Sequence, residues 1–184
     1  MTDVFFSKEQ GGFDSASCEF GGKCMGTLYG QKFFALKAAG PDLKFPFGPQ
    51  PFTALVTICS DRDDAVLGEY AKTLVSHGCV QAICRGDGAE RMDGAFASLA
   101  ECGGLDRNGV AFTSMCLGDE SFGEALHYFV LPSGLAAIGL VLVIGDANDF
   151  ADVVSGFNRT AGDILELREE PVYAGEETAC HEFA

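Results

Sequence analysis

Four aspartates stand at matching places in this chain. Asp61 follows Cys59-Ser60, Asp87 follows Cys84-Arg85-Gly86, Asp119 follows Cys116-Leu117-Gly118, and Asp146 follows Ile144-Gly145. Each of them closes an apolar run. Carboxylates gathered at such ends have two uses. As oxygen donors they suit a hard cation such as magnesium or manganese, with Asp61, Asp87 and Asp119 as candidate ligands. Metal-assisted hydrolysis or phosphoryl transfer would be the corresponding chemistry. The same acids, where a helix begins, accept hydrogen bonds from its free amides and face the positive end of its dipole. Ser121 and Glu124 have the spacing of a capping box. Capping already requires acids in these turns, so it is the leading reading.

Three of the runs also end on a cysteine, which makes Cys59, Cys84 and Cys116 candidate thiols. A redox role would need a low-pKa, exposed thiolate. The eight cysteines form no C-x-x-C pair, and the expected state is reduced thiols, several of them packed as small hydrophobes. Cys18-x5-Cys24 and Cys79-x4-Cys84 match structural zinc spacing poorly. His77 falls at the end of a predicted helix beside Gly78, where a partly charged imidazole suits the dipole. His127 is expected in solvent, and His181 lies in the tail beside Cys180.

The elements that must position these residues follow from two alternating periods. Phe52–Cys59, Cys79–Cys84, Val110–Cys116 and Leu135–Ile144 are short apolar runs with the length and composition of buried strands. Between them run helical stripes: Val66, Leu67, Tyr70, Ala71, Leu74 and Val75, then Met92, Ala95, Phe96, Leu99 and Ala100. Phe122, Ala125, Leu126, Phe129 and Val130 form a third, and Phe150, Val153, Val154 and Phe157 open a fourth. Gly78, Gly103-Gly104 and Pro132 supply stops. Strict alternation predicts an α/β three-layer sandwich with a mostly parallel central sheet, Rossmann-like or flavodoxin-like. Parallel strands would bring all four aspartates to one rim, the edge where open α/β sheets place ligands.

Residues 1–50 differ. They are rich in glycine and end in a proline-spaced connection (Pro41, Pro46, Pro49 and Pro51), with Phe33-Phe34-Ala-Leu36 as an expected edge strand. The expected organisation is an N-terminal appendage over 1–50, a core domain over 51–170, and an acidic tail over 171–184.

Length and charge narrow the function classes. The 184 residues, 47% hydrophobic, can bury a core, which excludes a disordered chain. No apolar run is long enough to span a bilayer, and the amino terminus lacks a basic stretch followed by an apolar one. The expectation is a cytoplasmic protein with no membrane partner. Residues 1–50 balance five lysines against five acids, so the whole net charge of −15 falls in 51–184, with 7 basic and 22 acidic residues. Such a surface repels phosphate backbones and excludes general nucleic-acid binding. Signature motifs are missing as well. The turn after the first run is Ser60-Asp61-Arg62-Asp63-Asp64, not the glycine-rich turn of a dinucleotide site, and no P-loop lysine or G-x-S-x-G elbow occurs.

Pro51-Phe52-Thr-Ala-Leu-Val56, Ser76-His-Gly-Cys79-Val80 and Glu120-Ser-Phe-Gly-Glu-Ala-Leu-His-Tyr-Phe129 carry a resemblance. Through them, Phe52 to Asp146 resembles a family of small bacterial α/β domains of unknown function. The resemblance implies the fold and a cytoplasmic setting, and it implies no catalytic residue. The chain departs from the family in having no tryptophan.

These observations lead to a non-catalytic, acidic, cytoplasmic binding or regulatory module that recognises a protein partner. One form is an immunity-type inhibitor of a basic protein, where complementary charge speeds association. It needs no cofactor, and a homo-oligomer is compatible with it. The alternative is a magnesium- or manganese-dependent hydrolase or phosphotransfer enzyme at the strand-end rim.

Overall fold

The apolar runs and helical stripes become a doubly wound α/β sandwich. The computed structural model describes residues 22–101, 106–107, 110–130 and 136–169. The tail 171–184, Cys18, Cys102, Cys180, His181 and the stop signals Gly103-Gly104 and Pro132 lie outside the described residues. In chain order the elements are β1 (Gly22–Leu28), β2 (Gln31–Lys37), β3 (Phe52–Ile58), α1 (Asp64–Ser76), β4 (Cys79–Gly86) and α2 (Ala89–Glu101). They continue with β5 (Asp106–Arg107), β6 (Val110–Ala111), β7 (Thr113–Cys116), α3 (Phe122–Val130), β8 (Ile138–Ile144) and α4 (Ala147–Glu169).

The main sheet has the order β1-β2-β8-β3-β4-β7. Every pairing from β2 to β7 is parallel, and only β1 runs antiparallel. β3 and β8 lie at the centre and are buried at every position, as the unbroken apolar runs Phe-Thr-Ala-Leu-Val-Thr-Ile and Ile-Gly-Leu-Val-Leu-Val-Ile require. From β3 the chain steps outward through α1, β4 and α2 to β7. It then returns through α3 to β8, on the far side of β3. Right-handed crossovers put helices on opposite faces when the direction of winding reverses. Accordingly Leu67, Tyr70 and Leu74 of α1 and Met92 and Phe96 of α2 share one core with Ala54, Val56 and Ile58. Leu126 and Phe129 of α3 and Val153, Val154 and Phe157 of α4 fill the other, with Leu55, Val141 and Val143. The reversal makes the C-terminal ends of β3 and β8 the switch point of the sheet.

Two sequence expectations need correction. Phe33-Phe34-Ala-Leu36 lies in β2, which is not an edge strand: β1 covers it, and β2 pairs with β8 on its other side. The stretch expected as an appendage thus supplies two strands of the sheet. β1 escapes pattern reading because Gly22 and Gly26 dilute it and a bulge between Cys24 and Gly26 breaks its alternation. Tyr29 and Gly30, both at positive φ, form the two-residue turn into β2. The second correction concerns Val110–Cys116, expected as one strand. It divides at Phe112, whose ring packs on Phe96 with centroids 5.0 Å apart. β6 pairs with β5, and only β7 joins the main sheet.

The proline-spaced connection is pinned by aromatic packing. Phe47 meets Phe34, Phe45 and Phe52 at centroid distances of 5.5, 5.7 and 5.1 Å, holding the chain on the α1 side as it returns to the start of β3. Gly78 then ends α1. It stands at φ +105, and a Cβ there would lie 2.8 Å from the Gln50 carbonyl oxygen. His77 is the C-cap of α1, with Nδ1 3.0 Å from the Thr73 carbonyl oxygen and its ring stacked on Phe45.

Candidate functional site

Parallel strands carry Asp61, Asp87, Asp119 and Asp146 to the same rim, each in the turn that follows a strand. What each carboxylate does there differs. Asp146 caps α4: its Oδ1 accepts the amides of Asn148 (2.6 Å) and Asp149 (2.9 Å), and Asp149 Oδ2 accepts the Asp146 amide (2.7 Å). This is a reciprocal capping box. The amides of Asp149 and Asn148 hold the Asp146 carboxyl below the usual carboxylate range. Ser121 and Glu124 form the corresponding box at α3, at 2.9 and 3.2 Å. Hydrogen bonds from Ser121 lower the Glu124 carboxyl in the same way.

Asp61 does not cap. Its Oδ1 lies 2.6 Å from Arg91 Nη2, while Arg91 Nη1 reaches the Arg62 carbonyl oxygen at 2.7 Å and Asp64 Oδ1 at 3.3 Å. These contacts tie the turn after β3 to α2. With Asp61 91% exposed, the pair fixes geometry more than it adds stability. Asp87 and Asp119 are exposed and make no hydrogen bond or ion pair among the described residues. Asp63, at the N-cap of α1, makes no side-chain cap bond.

The rim is spread out. Among the described residues, no three His, Cys, Asp or Glu side chains are placed to hold a metal ion. Asp61, Asp87 and Asp119 are thus not brought into a donor set for magnesium or manganese. Two carboxylates are occupied on protein partners and two point their charge at solvent.

Beneath the acids lie Cys59, at the switch point, and Arg85, on the neighbouring strand β4. The Cys59 amide donates to the Ile144 carbonyl at 2.9 Å, which holds the end of β3 against β8. Its thiol is pushed up, first by partial burial of the sulfur and then by Asp149, with Arg85 acting in the opposite direction. It stays protonated near neutrality, which argues against thiolate chemistry. Arg85 is half-buried across from Thr57 in the adjoining strand. Its Nη2 donates to the Glu120 carbonyl at 3.3 Å, and its guanidinium stands 5.7 Å over the Phe122 ring. Burial makes its charge harder to keep than on the surface. Gly86 follows at φ +92, where a Cβ would run into the Ile58 carbonyl, so only glycine lets the turn to Asp87 pass the end of β3.

Comparison with family models and with curated proteins gives no match. The site therefore rests on its own geometry.

Of the remaining thiols, Cys84 is fully buried and strongly raised by that burial, and Cys116 is partly exposed. His127 is exposed on α3, as its place off the apolar stripe required. Sequence reading passed over Asp149 and the Arg91 clamp. An Asp-x-x-Asp capping spacing was there to be read for the first; the second joins residues thirty apart and left no local signal.

Proposed function

We propose that this protein is a non-catalytic binding module whose acidic strand-end rim recognises a basic protein partner in the cytoplasm. The supporting observation is the state of the rim carboxylates. Asp87 and Asp119 project unpaired charge from adjacent turns, Asp61 and Asp146 continue the row on one side of them, and two nearby arginines are held on protein groups: Arg91 on Asp61, Arg85 on the Glu120 carbonyl and the Phe122 ring. Spread carboxylates of this kind steer and orient a cationic surface, and they do not concentrate charge on one reacting atom. The raised Cys59 thiol supplies no nucleophile at the rim. Among the described residues no helix is long and apolar enough to cross a membrane.

The test is capture from cell extract at low salt by the parent protein and by the Asp87→Asn, Asp119→Asn double variant. Neither side chain supports the fold through a hydrogen bond, so the variant stays folded. The reading expects a basic partner whose retention falls several-fold in the variant and in 0.5 M salt, where the Debye length is roughly 4 Å. Retention unchanged by both would contradict it.

A further inference from the structure

On the α1–α2 face of the sheet, away from Cys59, two thiols and a carboxylate come together. Cys84 and Cys116 are Cα partners across the parallel pair β4–β7. Both side chains belong to the same core cluster, Cys84 as a fully buried member and Cys116 packed against it from the partly exposed edge strand. Register partners in neighbouring strands lie about 4.8 Å apart, inside the roughly 4.4–6.8 Å between Cα atoms that a disulfide requires. From α2, Asp93 faces the same face, and its Oδ1 is buried without a hydrogen-bond partner. Its charge, with that of Cys116, bears on the Cys84 thiol and helps to raise it, after burial.

We propose that Cys84 and Cys116 form a reversible disulfide on exposure to peroxide, with Cys116 as the reacting thiol, Cys84 as the resolving thiol and Asp93 as the proton acceptor. Cys116 is the one that solvent reaches. Its sulfur attacks a peroxide oxygen, the O–O bond breaks, and Cys116 becomes a sulfenic acid with release of water. Cys84 then passes its proton to Asp93 as its sulfur bonds to the Cys116 sulfur. The S–O bond breaks, and the departing hydroxide takes up that proton and leaves as the second water. Two thiols lose two electrons, and the peroxide gains them. A buried thiol is a weak nucleophile in solution, but here it is held next to a single target, which raises its effective concentration. The backbones on either side are already joined, by Leu117 N–H to the Cys84 carbonyl at 2.8 Å and Gly86 N–H to the Gly118 carbonyl at 3.1 Å. The bridge would therefore lock the turns that carry Asp87 and Asp119. It is independent of the partner-binding reading, since it asks only for the two thiols, Asp93 and an oxidant.

The experiment treats the native protein with a small excess of hydrogen peroxide, blocks free thiols after denaturation, and maps the peptides by mass spectrometry. The expected product is a Cys84–Cys116 cross-linked pair, two hydrogens lighter than the separate peptides and restored by dithiothreitol. Cys59→Ser and Cys24→Ser variants should still form it, and Cys116→Ser should not. Asp93→Asn should slow the cross-link and let a dimedone adduct accumulate on Cys116. Direct passage of Cys116 to sulfinic acid, or pairing of Cys84 with another cysteine, would overturn the proposal. An Asp93→Asn protein that bridges at the parent rate would overturn the proton transfer to Asp93.

Discussion

At the residue scale, the arrangement separates exposure from reactivity. Cys59 is exposed at the switch point, yet the desolvation of its sulfur and the nearby Asp149 both favour the neutral thiol. Alkylation of Cys59 in the native protein, followed by peptide mapping at neutral pH, should be slower than that of free cysteine and should accelerate as pH rises. Arg85→Gln removes a cation that favours the thiolate and should slow the reaction further. A Cys59 that labels faster than free cysteine would show that this balance of charges is wrong. This level was the least legible in the sequence. The four aspartates and three cysteines were visible, but Asp146-x-x-Asp149 and Asp87-x-x-Glu90 offer the same capping spacing, while only Asp146 is bound to its helix amides and Asp87 makes no hydrogen bond among the described residues. That difference is a matter of which amide each carboxylate reaches.

At the element scale, α3 and α4 begin with reciprocal capping boxes, and these make a prediction whose sign is fixed. Glu124 and Asp146 are held below the ordinary carboxylate range when folded. A group lowered on folding contributes stability that is complete above its unfolded pKa and is lost as pH falls through the folded value. Melting temperature should therefore drop on acidification below about pH 4, and the Glu124→Gln, Asp146→Asn double variant should show a shallower drop. Near neutral pH, Ser121→Ala should cost about 1 kcal/mol, or roughly 2–4 °C in melting temperature for a chain of this length. An acid limb identical in parent and double variant would remove the boxes from the account. The helices, the Gly78 stop of α1 and the Ser121–Glu124 box were legible because they are written within one or two turns of chain. The split of Val110–Cys116 was not, since Phe112 leaves the strand to meet Phe96, a partner supplied by the tertiary fold. β1 was hidden for a related reason: its glycines serve a bulge and a close approach to Pro46, not a hydrophobic alternation.

At the scale of the whole molecule, strand direction decides what the acids can do. Alternating strand and helix implied a parallel sheet, and the parallel pairings from β2 to β7 place four strand exits on one rim. The order of the strands could not be read, because it depends on the single reversal after β7. That reversal puts α1 and α2 on one face and α3 and α4 on the other, and it sets the switch point at the paired C-terminal ends of β3 and β8, which lead into Asp61 and Asp146. Four of the acids of residues 51–184, Asp61, Asp87, Asp119 and Asp146, are thereby brought to one rim, a placement that composition alone cannot supply.

The most direct measurement of that claim is amide chemical-shift mapping during titration with a short lysine- and arginine-rich peptide at low salt. The account predicts shifts concentrated in the turns at 59–64, 85–91, 117–121 and 145–149, reduced in the Asp87→Asn, Asp119→Asn variant but not when Asp152 and Asp163 of α4 are changed to Asn. Shifts spread evenly over the acidic surface, or gathered on α4, would contradict it.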